Sequence, residues 1–266
     1  RTASGEGQGV QSTGGNIAIG AGTGLFNEGV ISADKGSLAV RAGSVDNGGT
    51  LNAGQSVDIA DAGAGSTASV ANRGDVIAGT SLAVQASDVA NSGWLQAGTD
   101  NRIAATNLTN RGRMIAPPGP ARRQSDPALD NTGSVRAAKD IALAGRNGAR
   151  TQRLNNSGDI LAAGAQRIQA QAVANQKSGW IQAATGSQVQ ADSIDNAGTW
   201  LTSQQGGATD SVAVGGSFTN SGAMQSAGDL AVAAGSFDNS NALAAAGTLG
   251  VQTATSLRNA GILPVI

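Results

Sequence analysis

The chain alternates large apolar or small residues with polar ones at a spacing of two, in short groups separated by Gly, Ser, Asn and Asp. The stretch Asn72 to Ala90, NRGDVIAGTSLAVQASDVA, shows the unit clearly. Inward-type residues fall at Gly74, Val76 and Ala78, then Leu82, Val84 and Ala86, then Val89. Spacing of two is strand periodicity, with alternate side chains on one face. The breaks at Gly79–Ser81 and Ser87–Asp88 are small and polar and read as corners. Each unit therefore predicts three short strands and three turns.

The unit repeats. An Asn follows a large apolar residue by two places twelve times, every 19 to 25 residues. The pairs are Leu25/Asn27, Val45/Asn47, Val70/Asn72, Val89/Asn91, Leu108/Asn110, Leu129/Asn131, Leu154/Asn156, Val173/Asn175, Ile194/Asn196, Phe218/Asn220, Phe237/Asn239 and Leu257/Asn259. Four places after each Asn stands another apolar residue. The exception is Asn175, where an insertion moves it to Ile181. A fixed internal period signals a stacked repeat architecture. Helical period is absent, and so is the tight hexapeptide of a left-handed β-helix. The pattern predicts an all-β right-handed parallel β-helix of about twelve coils, its hand following from the usual crossover between parallel strands. At the ordinary inter-strand spacing of about 4.8 Å, it makes a rod about 55 Å long.

The recurring Asn shares its face with the apolar residue two before it. Inward amides would hydrogen-bond from coil to coil as a ladder. The other reading is that Asn tolerates a corner backbone, helped by the Gly two residues on. Use of Asn in every copy, never Asp or Gly, favours the ladder. Both roles are structural.

The whole of 1–266 reads as one rod. It begins and ends inside the repeat, as expected for a piece of something longer. Extra loops are expected at 61–67, 145–152 and 204–210. The segment 117–127, PPGPARRQSDP, carries four of the five prolines. Because Pro cannot donate to a ladder, this segment is expected to leave the sheet and replace the second strand of its coil.

Composition narrows the chemistry. There is no Cys and no His, which removes zinc sites, thiol nucleophiles and His bases together. No run of 18 apolar residues exists to span a bilayer, and the first residues lack the apolar core of a signal peptide. Net charge is −1, but residues 102–167 hold eleven basic residues and four acids. Arg111, Arg113, Arg122, Arg123, Arg136, Lys139, Arg146, Arg150 and Arg153 form a candidate belt for polyanions such as sulfated glycans or lipopolysaccharide. A solvated face without a ligand would look the same. Nucleic acid is disfavoured because no aromatics interleave the belt. By parity Trp94 and Trp180 point outward, where they could stack on a sugar or a protein. Trp200 counts as inward, although a slip of one residue would expose it. Carboxylates are sparse and unpaired on neighbouring coils, which argues against a β-helical polysaccharide-degrading enzyme. Asp46 and Asp238, each just before an Asn corner, suit a structural role.

The copies NRGDVIAGTSLAVQASDVANSGWLQAG, NSGDILAAGAQRIQAQAVAN and NSGAMQSAGDLAVAAGSFDN follow the pattern L-x-N-x-G-x-L-x-A-G, then L-x-V-x-A. That pattern resembles the filamentous haemagglutinin repeats of exported bacterial adhesins, over about residues 10–263. The resemblance implies a secreted, surface-exposed filament, delivered by two-partner secretion through an outer-membrane transporter, with no cofactor. It covers both adhesins, with a host or target-cell glycan or receptor, and the sticks of contact-dependent growth inhibition toxins. It supplies no catalytic residues.

Overall fold

The computed structural model describes residues 9–60, 69–116, 119–145 and 149–264, with the side chains of residues 126 and 127 set aside. Every named element is a strand, and every strand pairing is parallel. The first strands of successive coils form one sheet of twelve, stacked in chain order from Gly9–Ser12 to Ala242–Ala245. The remaining strands form a second sheet, which wraps around the core.

The three-strand unit is modified in a consistent way. In seven coils the second and third strands run on as one, as in Ser81–Asn91, Asp100–Asn110 and Asp229–Asn239. The corner expected between them becomes a bend within a strand. Slips in register mark it at Ala105/Asn107, Val214/Ser217 and Ala234/Ser236. Such bulges bend a strand without ending its hydrogen bonding.

Alternate side chains fill the interior in files that run along the rod. Ile31, Leu51, Val76, Leu95, Met114, Val135, Ile160, Ile181, Trp200, Met224 and Leu243 make one file, all essentially inaccessible. Trp200 is therefore inward, as counted. Phe218 and Phe237 meet edge to face at 5.0 Å between ring centroids in the file headed by the Asn-flanking aliphatics. Each fully buried aliphatic of this kind contributes about 1.5–3 kcal/mol. A narrow interior filled one residue per coil explains why so few aromatics suffice.

Strand Thr209–Asn220 resumes after the loop that follows Ser203. Buried Asp210 anchors that loop, accepting from Ser187 N at 2.6 Å and Thr202 Oγ1 at 2.7 Å. Of the loop expected at 145–152, residues 146–148 lie outside the described residues; Gly145 N donates to Ala149 O, and strand Thr151–Asn156 follows. The expected loop at 61–67 lies outside the described residues.

The Pro-rich segment departs from expectation. The second strand is not replaced: Ala121–Asn131 is a continuous strand. Ala121–Ser125 pairs with Asn101–Ala105 below, and Ala121–Gln124 pairs with Ile141–Ala144 above. Between Ser125 and Ala128 the strand carries one residue more than its neighbour carries between Ala105 and Asn107. Pro127 sits in that bulge, where the ladder needs no N–H from it.

Glycine has a fixed place at the Asn corner because the coils approach too closely for a side chain. A Cβ on Gly93, Gly112, Gly133 or Gly158 would lie 2.0–2.2 Å from the carbonyl oxygen of the glycine one coil below. Gly112→Ala is expected to cost about 1–3 kcal/mol, as forced overpacking does. Gly20→Ala, where nothing lies within 4 Å, should be close to neutral. Urea denaturation of the two variants checks the contrast.

Candidate functional site

Eleven of the twelve Asn side chains, Asn27 to Asn239, are buried at the same corner, and Asn259 is exposed. Each of these eleven donates through its amide nitrogen to the side-chain oxygen of the next Asn up the rod. The distances are 2.7 Å for Asn27 to Asn47, 2.8 Å for Asn47 to Asn72, Asn72 to Asn91 and Asn91 to Asn110, and 2.7 Å for Asn110 to Asn131. The ladder continues through Asn156, Asn175, Asn196, Asn220 and Asn239 to Asn259 at 2.7–2.9 Å. Most of these nitrogens also reach the carbonyl two residues on, which is usually the corner glycine. The backbone carbonyl of each Asn accepts from the next corner, as Asn110 O does from Thr132 N and Gly133 N. All the amide dipoles point one way, so neighbouring bonds polarise one another. From Asn47 to Asn239 the ladder uses both the donor and the acceptor group of each amide.

The basic belt does not form one surface. Arg113 and Arg136 lie on the outer face of the twelve-stranded sheet, Arg122 on the second strand, and Arg153 on the third. Arg111 and Lys139 are exposed at corners. Arg146 lies outside the described residues. Four members are ion-paired: Arg122 with Asp100 at 3.8 Å, Arg136 with Asp159 at 3.0 Å, Arg153 with Asp130 at 3.1 Å, and Arg150 with Asp192. Asp46 and Asp238 pair likewise with Arg73 and Arg258 one coil on. These exposed pairs are each worth well under about 1 kcal/mol. They link one coil to another.

Arg123 is the member that sequence counting placed wrongly. Its residue is fully buried, in a file that otherwise reads Val84, Ile103, Leu143, Ile168 and Val189. One guanidinium nitrogen donates to Asn101 O at 2.7 Å and Arg122 O at 3.1 Å. Nε and Nη2 have no partner in the structure. Desolvation pulls its pKa well below the ordinary arginine range, to about 9, opposed by the charge of Asp100. It cannot neutralise a polyanion in solvent. The signal was present in the register of ARRQS over NRIAA, which sets Arg123 in the place of Ile103.

Two surface hollows border these residues. One, of about 470 Å³, lies at the corner before the second strand, between Pro120 and Thr209. Its one carboxylate, Asp140, already accepts from Ala165 N at 2.8 Å. The other, of about 380 Å³, runs beside the Asn corner from Trp94 to Asp159. Trp94 and Trp180 are exposed, as parity indicated. Their alignment was missed, although both directly follow the glycine of their corner.

Among the described residues no group of three or more His, Cys, Asp or Glu could hold a metal ion, and no helix is long and apolar enough to cross a membrane. Comparison with protein-family models, with curated proteins and with solved structures finds no match.

Proposed function

We propose that this chain is a stalk: a stiff spacer within a longer surface filament of the filamentous haemagglutinin type. The observation that supports this reading is the uninterrupted Asn ladder, from Asn27 to Asn259, through coils whose loops differ. Each coil touches mainly its two neighbours, so stability is local and the rod can be lengthened by repetition. The repeat motif supports export by a two-partner route and display outside the cell. Adhesin filaments and toxin sticks share this role.

Removing one coil, residues 72–90, joins Ala71 to Asn91 in register. The shortened chain should fold, with a long axis reduced by about 4.8 Å, as read by small-angle scattering. Antibody to the rod should label intact source cells. Labelling only after permeabilisation, or collapse on removal of one coil, would overturn the stalk reading.

A further inference from the structure

Trp94 and Trp180 stand in one outward file of the twelve-stranded sheet. The file runs Trp94, Arg113, Ser134, Asp159, Trp180, one residue per coil. Four coil steps separate the two rings, about 19 Å along the rod. Both are well exposed, at 41% and 44%. Both are also held. The Arg113 guanidinium lies 5.1 Å from the centroid of the Trp94 ring, a cation–π contact that fixes one face. Trp180 Nε1 donates to Gln182 Oε1 at 3.1 Å, and Gln182 is braced by Gln204 at 3.0 Å.

Beside this file lies the 380 Å³ groove, lined by the corner glycines Gly93, Gly112, Gly133 and Gly158 together with Ser92, Arg111 and Thr132. The corner glycines between Trp94 and Asp159 are fixed by coil packing, and the groove runs over them from Trp94 to Asp159, one coil short of Trp180. At the Trp180 end stands the one lengthened Asn corner, Gln176–Ser178, closed by Gly179 N to Gln176 O at 2.7 Å. Between the rings, Arg111, Arg113 and Arg136 face one carboxylate, Asp159, which Arg136 already holds. Among the described residues Arg111 and Arg113 have no ion pair.

From this geometry we infer that the outer face between Trp94 and Trp180 binds a linear acidic polysaccharide, lying along the rod with a sugar ring against each indole. The electron-rich face of an indole attracts the weakly positive C–H face of a pyranose ring. An extended glycan advances about one ring per coil, so a single chain can meet both platforms. Arg111 and Arg113 supply the positive charge for its carboxylate or sulfate groups. A protein partner fits less well. Its interface core would be depleted in charge and would need a contiguous apolar patch of a few hundred Å². Here the two exposed rings are separated by Arg113, Ser134 and Asp159. The inference concerns a ligand and not the spacer role, and the two fail separately: a stalk without this ligand remains a stalk.

The test is calorimetric titration of the whole chain with a hyaluronan decasaccharide, with neutral chitohexaose and with inorganic polyphosphate. Hyaluronan should bind, and more weakly as salt rises. Trp94→Ala and Trp180→Ala should each weaken it by about tenfold or more, as losses of central aromatic anchors do. The double variant should abolish binding. Arg111→Gln with Arg113→Gln should weaken it and flatten its salt dependence. Both indoles are outside the core, so circular dichroism and urea midpoint of the Trp variants should match wild type. No binding of hyaluronan would overturn the proposal, as would binding that the double Trp variant retains. Equal affinity for chitohexaose would remove the acidic specificity. Polyphosphate binding as tightly as hyaluronan, with no response to the Trp changes, would reduce the site to bare charge. Self-association that disappears in the double Trp variant would assign the face to a second copy instead.

Discussion

Asn131→Leu is expected to lower the stability of the rod by about 2–6 kcal/mol, although leucine is apolar and close in size. The reason is what it leaves behind. Asn156 Oδ1 receives its ladder bond from Asn131 at 2.8 Å, and Asn110 Nδ2 gives its shortest bond to Asn131 at 2.7 Å. The same nitrogen of Asn131 serves Gly133 O and Asp159 O. Leucine replaces none of these groups, so an acceptor above and a donor below are stranded in the interior. Each buried group left unpaired costs about 1–3 kcal/mol. Thr132→Ala at the neighbouring exposed position should change little. Long stacked arrays need not unfold in a single step. Amide exchange should therefore accompany the urea melt, with lost protection centred on the corners at Asn110 and Asn156. An Asn131→Leu chain as stable as wild type would reduce the amide to a corner preference.

Asn131→Asp separates hydrogen bonding from shape. An ionised carboxylate cannot donate to Asn156 Oδ1, and it faces the carbonyls of Gly133 and Asp159 as well. A protonated one can donate upward and accept from Asn110. Burial and these acceptors raise its folded pKa above the unfolded value of about 3.9. The folded state then holds the proton more tightly. The variant should approach wild-type stability below about pH 4 and lose it as pH rises through the raised pKa. A variant whose deficit is the same at pH 4 and pH 7 would show that the loss does not come from ionisation.

The fold was legible because every coil repeats one inward pattern. Miscounting one coil is corrected by its neighbours, as Trp200 shows. Legibility failed where a coil is irregular. The prolines of 117–127 suggested a break, yet a bulge needs no donor, and the strand continues through Pro127. That continuity sends Arg123 inward, where composition alone would never put an arginine. The candidate glycan face was only partly readable. Parity placed both Trp residues outside, but their shared file depends on coil lengths and on the Gln176–Ser178 insertion between Asn175 and Gly179. The glycines beside it read as corner residues, and the close coil contact that requires them follows from stacking, which no single repeat displays.

Arg123→Met is expected to stabilise the rod by about 1–4 kcal/mol, the gain seen when a buried charge gives way to a well-packed apolar side chain. Arginine here sits between Ile103 and Leu143 in an aliphatic file, with two of its three guanidinium nitrogens unpartnered. Asp100 favours the charged form from a distance, but desolvation outweighs it. Methionine keeps the unbranched stem and fills irregular space. The carbonyl of Asn101 loses a donor, which sets the lower end of the range. The dependence on pH gives an independent check. The folded pKa of about 9 lies below the unfolded value, so the cost of the charge is fully present below pH 9. Above pH 9 the unfolded chain holds more protons than the folded one, and wild-type stability recovers relative to the variant. The advantage of Arg123→Met should therefore be constant up to about pH 9 and shrink beyond it. A destabilised Arg123→Met chain would instead make the guanidinium a required tie between the two coils, holding Asn101 O where the Pro-rich segment re-enters the sheet.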